Sequence, residues 1–259
     1  MDRLNSLINI VKEAGEIVKE GYNNQVEVNK KSATELVTKY DKAVEEFLIS
    51  KIKPLYSEFE IVGEESFKGL QYPKNAIFID PIDGTTNFVH KIPHLAISIG
   101  IWQDNKPIEA IVYNPILNEL YYAKDGFGAF CNGEPISVSK EESLQNSIIA
   151  TGFPYVKHKM GAEYWWVVDS FKQLLPKIRD IRRLGAAAID LCYLASGKFN
   201  GFYEINLKPW DVAAGILIVK EAGGEVSSLS GGEYSFNKQI IVASNGLIHN
   251  SLLKNLARF

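Results

Sequence analysis

The sequence predicts a two-part fold, an α+β half followed by an α/β half, and three observations carry that reading. Two amphipathic helical patterns open the chain, short β-rich runs separated by turn residues follow, and from Ser147 onward strand and helix patterns alternate. The chain has 259 residues, enough for one large domain or two small ones around a shared core. Hydrophobic residues make up 46% and charged residues 23%, so a sizeable core forms without disulfides and disorder is excluded.

Leu4, Leu7, Ile8, Val11, Ala14, Ile17 and Val18 recur at helical spacing and mark the first helix, which the polar stretch 23–31 ends. Thr38 with Asp41 three residues on is a capping pattern, and Val44, Phe47, Leu48 and Ile52 form the stripe of a second helix. After Pro54 come β-rich runs at 58–62, 76–79, 95–102, 108–113, 119–123 and 129–138. Turn chemistry at Asp104-Asn105-Lys106-Pro107, Asn114-Pro115 and Cys131-Asn132-Gly133 separates them, so an antiparallel sheet is expected. Strands at 147–151, 180–184, 201–205 and 239–243 then alternate with helices at 162–175, 186–195 and 212–222, and a helix closes the chain. The charged stretch Lys140-Glu141-Glu142 sets the boundary, giving halves 1–141 and 142–259.

Lys+Arg number 28 against 31 Asp+Glu, a net charge of −3, which provides no bulk positive field to gather phosphate backbones and disfavours general nucleic-acid binding. Cys131 and Cys192 form no CxxC pattern and read as reduced, buried small hydrophobes. The first residues lack the apolar core of a signal peptide, and no apolar run approaches the ~18 residues of a membrane span. A cytoplasmic protein without membrane association is expected.

The most informative segment runs Ala76-Ile77-Phe78-Ile79-Asp80-Pro81-Ile82-Asp83-Gly84-Thr85-Thr86-Asn87. Pro81 cannot donate to a ladder and restricts Asp80 to extended backbone, so the strand is expected to stop there with Asp80 and Asp83 turned outward. Gly84 permits a tight turn, and Thr85 and Thr86 open a helical turn whose free N–H groups suit a phosphate. Aspartates also cap such turns, but two of them at the end of an apolar strand and before Gly-Thr-Thr favour a functional site. Gly63-Glu64-Glu65-Ser66 is a second acidic strand end, a pattern also common in solvated loops. Pro209-Trp210-Asp211 starts a helix with Asp211 as a natural N-cap. Converging carboxylates would repel and, once buried, protonate, so cations must hold them ionised. All-oxygen ligands with room for water and phosphate suit Mg²⁺ better than Ca²⁺. His90 and His94 have no nearby Cys and form no zinc pattern; with His158 and His249 they read as structural or surface residues. Trp165 and Trp166 read as packing or interface anchors.

These segments, with Leu36-Val37-Thr38, the 126–133 turn region and Arg183-Leu184-Gly185-Ala186-Ala187, make the chain resemble the inositol monophosphatase family over nearly its whole length. The resemblance implies a Mg²⁺-dependent, often lithium-sensitive phosphomonoesterase with a layered αβαβα sandwich, commonly a homodimer. It also implies that Glu64, Asp80, the Ile82 carbonyl, Asp83 and Asp211 bind metal and that Glu65 orients water. Thr85 would help Glu64 activate the nucleophile, and Gly84 and Thr85 would hold the phosphate. Gly185, Ala186, Ala187 and Glu204 would line the alcohol side, Glu204 accepting from substrate hydroxyls, and Lys31 with Asp41 would form a supporting loop. Lys208 is similar to the basic residue of bacterial members.

The expected substrate is a small phosphate ester, myo-inositol monophosphate or a similar polyol phosphate. Fructose-1,6-bisphosphatase, histidinol-phosphatase and nucleotide 3′-phosphatase activities are alternatives on the same site. A role as a regulatory partner in transcription or RNA processing is the alternative from another class, and the local basic cluster Lys177, Arg179, Arg182 and Arg183, which also reads as a solvated strand edge or dimer contact, is the one feature that favours it.

Overall fold

The computed structural model describes residues 2–24, 28–30, 36–154 and 157–259. Helix α1 (Asp2–Asn23) buries Leu4, Leu7, Val11, Ala14 and Val18 along one stripe. A ribbon of β1 (Val28–Lys30) and β2 (Leu36–Thr38) leads into α2 (Lys39–Ile52). The Thr38 hydroxyl accepts the Tyr40 N–H at 3.1 Å, and the Thr38 N–H donates to the Asp41 carboxylate at 2.7 Å, which closes the capping pattern. Thr38→Ala is expected to cost about 1 kcal/mol and to lower the melting temperature by roughly 2–4 °C in a calorimetric scan.

The first sheet runs in chain order across seven strands: β3 (Glu60–Gly63), β4 (Ala76–Asp83), β5 (Ala96–Gln103), β6 (Lys106–Asn114), β7 (Glu119–Lys124), β8 (Ala129–Cys131) and β9 (Glu134–Ile136). The short helix α3 (Thr85–Val89) sits between β4 and β5. The sheet is not wholly antiparallel, because β3 lies parallel to β4 with Ile61 opposite Ile77. Segment 64–75 carries the chain back to the start of the sheet, as a parallel pair requires. A second difference concerns Pro81. Strand β4 does not stop at Asp80 but continues through an irregularity to Asp83, with Asp80 opposite Ser98 and Asp83 opposite Ala96. Pro81 falls inside that bulge, where no ladder N–H is required of it.

The second half builds β10 (Ile148–Thr151), α4 (Ala162–Leu174), β11 (Asp180–Arg182), α5 (Ala187–Ala195), β12 (Gly201–Ile205), α6 (Pro209–Glu221), β13 (Glu225–Ser228), β14 (Ile240–Ser244) and α7 (His249–Asn255). Its sheet has the order β11-β10-β12-β14-β13 and is mixed: β10 is parallel to β11 and β12, while β14 is antiparallel to β12 and β13. Helix α6 begins three residues earlier than its apolar pattern. Pro209 takes the first helical position, and Asp211 lies inside the first turn, accepting the Lys208 N–H at 2.7 Å rather than acting as the cap itself.

The layers are α1/α2, first sheet, α5/α6, second sheet, α4/α7, and strand alternation explains them. Ile77 and Ile79 of β4 join the α1/α2 core, while Ala76 and Phe78 face α5 and α6. Residues 212–219 of α6 are all buried, as expected for a helix clamped between two sheets. On the far side, Ile149, Tyr203 and Val242 pack against Trp166, Val167 and Leu252. Trp166 is an anchor, its indole donating to the Ala257 carbonyl at 2.9 Å, whereas Trp165 is 47% exposed. Cys192 is buried but Cys131 is only half-buried, and both are free. No helix among the described residues is long and apolar enough to cross a membrane.

Candidate active site

The C-terminal end of β4 delivers Asp80 and Asp83 to a cavity of about 130 Å³ between the two sheets. Glu64, just after β3, and Asp211, in the first turn of α6, line the same cavity, as do Ile82, Gly84 and Thr85. Gly185, Ala186, Ala187 and Glu204 line it too, and a Cβ on Gly84 would lie 3.1 Å from Ala186 Cβ. Gly84 is the N-cap of α3 at φ 90°, a left-handed backbone that favours glycine. Each aspartate is fixed by a backbone donor. Asp80 accepts the Ile82 N–H at 3.0 Å, Asp83 the Ala188 N–H at 2.6 Å, and Asp211 the Lys208 N–H. The bond from Asp83 crosses from the first sheet to the start of α5, so the cavity wall is sewn across the two halves of the chain.

The electrostatics follow from crowding. Burial pushes Asp80 well above the carboxylate range, and the charges of Glu64, Asp83 and Asp211 push it further. Asp211 rises for the same reasons, burial first and then Asp83 and Glu64. Asp83 is pushed up to about 7, burial outweighing the Ala188 N–H that favours its charge. Glu204 also rises, through burial and then the neighbouring Asp190 and Asp211, with Arg183 opposing. Glu64, Asp80, Asp83, Asp211 and Glu204 thus line one cavity, where like charges disfavour ionising them all without a cation. All the donors are oxygen, which fits a hard divalent ion. Among the described residues no three His, Cys, Asp or Glu side chains stand in a ready-made ligating arrangement, so a cation would have to draw them inward.

The remaining expected residues are placed less uniformly. Asp41 is buried beside the site, accepting the Thr85 hydroxyl at 3.2 Å as well as two bonds from Thr38, and the Thr85 hydroxyl is equally 3.2 Å from the Ile82 carbonyl. Burial raises the Asp41 pKa against those donors. Glu65 lies beside the cavity rather than on its wall, half-buried, with its N–H on Glu45 Oε2 at 2.9 Å. Lys208 lines the neighbouring pocket, not this one. Lys31 lies outside the described residues.

Several cavity residues escaped the sequence reading. Arg183, quoted there in a family segment and in a basic cluster but given no role in the site, lines the cavity with its guanidinium 5.1 Å from the Phe153 ring. Asp190 lines it too, paired with the buried His94 at 2.9 Å. Thr151 ends β10 and Gly152 and Phe153 follow it, and a Cβ on Gly152 would sit 1.7 Å from Glu204 Oε1, so only glycine leaves room for that carboxylate. The available signal was positional: ligands gather at the carboxyl ends of parallel strands, and β10 is one.

The layered sandwich and its acid-lined cavity define a phosphatase fold. The chain belongs to the inositol monophosphatase family, whose profile matches residues 2–258. It is 38% identical to inositol monophosphatase 3 of Solanum lycopersicum, covering 98% of this chain and 96% of that one. It is also 38% identical to the Nus factor SuhB of Escherichia coli K12, covering 98% and 95% of the two chains. Among solved structures, the extragenic suppressor protein suhB of Bartonella henselae superposes with a TM-score of 0.92 at 33% identity, covering 100% of this chain and 99% of that one. The family is generally metal-dependent.

Proposed function

We propose that the protein is a Mg²⁺-dependent phosphomonoesterase that hydrolyses myo-inositol monophosphate or a similar small polyol phosphate. The observation that carries the reading is the meeting of Glu64, Asp80, Asp83 and Asp211, from three separate segments, in one cavity with the Gly84–Thr85 turn and Glu204. Glu64, Asp80, the Ile82 carbonyl, Asp83 and Asp211 would hold Mg²⁺. When bound, the ion supplies positive charge for the phosphoryl group and lowers the pKa of water toward neutrality.

This chain's residues do the rest. The Thr85 hydroxyl, donating to Asp41, keeps a lone pair for a hydrogen bond from water that Glu64 and Glu65 orient, so that as the water's proton moves onto Thr85 the hydroxyl's own proton passes to the Asp41 carboxylate. The Gly84–Thr85 backbone holds the phosphate, and Glu204 accepts from substrate hydroxyls across Gly185, Ala186 and Ala187. No side chain is needed as nucleophile, so the phosphorus configuration inverts. Phosphate release is to be measured on a panel of polyol phosphates, fructose 1,6-bisphosphate, histidinol phosphate and nucleotide 3′-phosphates, with Mg²⁺ and with chelator. Polyol phosphates should be cleaved fastest, only with the ion present. A purified protein that cleaves no ester in Mg²⁺ would sink the reading.

A cytoplasmic homodimer and the division at 141/142 belong to the same proposal, and exposed Trp165 and Leu175 offer apolar surface for a second copy. The E. coli relative's name supports a second reading, a regulatory partner role. Lys177, Arg179 and Arg182 lie outside the cavity wall and contact Asn255, Asn146 and Asp180 respectively. Partner binding of that kind would survive Asp83→Asn, and hydrolysis would not.

A further inference from the structure

The structure assigns Glu45 as a positioning residue that holds the Glu64–Glu65 strand end against the site, a role that rests on the hydrolytic reading above. Glu45 lies on α2 one helical turn after Asp41, and both carboxylates are buried, at 2% and 1% exposure, on the helix face turned to the first sheet. Asp41 reaches Thr85 from that face, and Glu45 reaches the Glu65 N–H at 2.9 Å. One rigid helix therefore grips both acidic segments, the end of β3 and the turn after β4.

The backbone has been shaped around this carboxylate. A Cβ on Gly63 would lie 2.5 Å from the Glu45 carboxyl carbon and from its Oε2, so a side chain at 63 would drive the acid out of its place. The bond also fixes the first residue pair after β3, where the Glu64 N–H has already been spent on the Ile79 carbonyl of β4 at 3.0 Å. Glu64 is thus tied to β4 and Glu65 to α2, and the pair has little freedom to swing. In so buried a setting the Glu65 N–H has no water to replace this acceptor, so loss of the bond frees the loop rather than trimming it.

Because Glu45 touches neither the cavity nor the phosphate-side turn, its removal should separate turnover from binding. Glu45→Asp keeps the carboxyl group but is one methylene short of Glu65, and Glu45→Gln keeps both reach and an oxygen acceptor. Glu46→Gln, on the exposed side of α2, is the control. Wild-type and variant proteins are to be assayed with Mg²⁺ on the fastest ester of the panel, and Mg²⁺ titrations are to be followed by thermal shift without substrate. Glu45→Asp should lower kcat about 10-fold or more with KM within 2-fold, and raise the Mg²⁺ concentration needed for half of the thermal shift. Glu45→Gln should recover most of kcat. Gly63→Ala should reproduce Glu45→Asp, and combining the two should add little. The proposal is overturned if folded Glu45→Asp and Gly63→Ala keep wild-type kcat and Mg²⁺ response, or if kcat and KM worsen together. It is also overturned if Glu45→Gln is as impaired as Glu45→Asp. An inert wild-type enzyme would instead overturn the hydrolytic reading, while the Mg²⁺ thermal shift still tests Glu45.

Discussion

Asp83→Asn is expected to lower phosphate release by at least about 10³-fold, on the order of 4 kcal/mol of transition-state stabilisation. Asn is nearly the same size and keeps one oxygen for the Ala188 N–H, so the fold of the cavity wall should persist. It removes one negative charge from a cavity where Asp80, Asp211 and Glu64 already repel each other. The same variant should therefore be more stable than wild type when divalent ions are chelated, because a like charge has been taken out of a buried cluster. Lost turnover together with gained metal-free stability is a signature that misfolding cannot produce. A variant that retains wild-type turnover would exclude Asp83 from the chemistry.

The second large effect is on stability against pH. The folded-state pKa of Asp83 lies at about 7 against an unfolded value near 3.9, so the native state binds the extra proton between these limits. A raised carboxyl pKa contributes stability that is fully present below the unfolded value and is lost as pH rises through the folded one. Chelated protein should thus melt higher at pH 5.5 than at pH 8. A shift of that size is worth on the order of a few kcal/mol, and the matching change in melting temperature is several degrees. Asp80, Asp211 and Glu204 are displaced in the same direction and add to the slope. Saturating Mg²⁺ at pH 8 should restore the loss, since occupancy at 100 times Kd contributes roughly 2.7 kcal/mol. A flat melting temperature between pH 5.5 and 8 in chelator would show that the carboxylates do not share one strained pocket.

The elements that the sequence made legible are those where local chemistry and burial agree. The Thr38/Asp41 cap, the α1 stripe and the apolar run of β4 each carry a periodicity that tertiary packing reinforces. Where packing overrode local signals, the reading went astray. Pro81 reads as a strand stop, yet a bulge removes the need for its missing donor and lets β4 carry Asp83 into the ladder. β13 went unseen because Glu225-Val226-Ser227-Ser228 has little apolar alternation, and its place comes from pairing with β14. The parallel β3–β4 pair likewise depends on a long-range register that no local motif encodes. In the cavity, the acidic motifs announce themselves by spacing, whereas Arg183 looks like one more residue of a basic run until Gly185 and Phe153 bring it inside. Asp190 looks like a helix residue until His94 is folded over it.

The hydrogen bond from Ala188 to Asp83 joins residues 105 positions apart. During synthesis, at ribosomal speeds of about 5–20 residues per second, Asp83 emerges roughly 5–20 s before its partner helix exists. For that interval the nascent N-terminal part carries an acidic strand end with no lid, and Asp211 arrives later still. The enzyme therefore cannot capture ions or esters in its finished pocket while it is still being made.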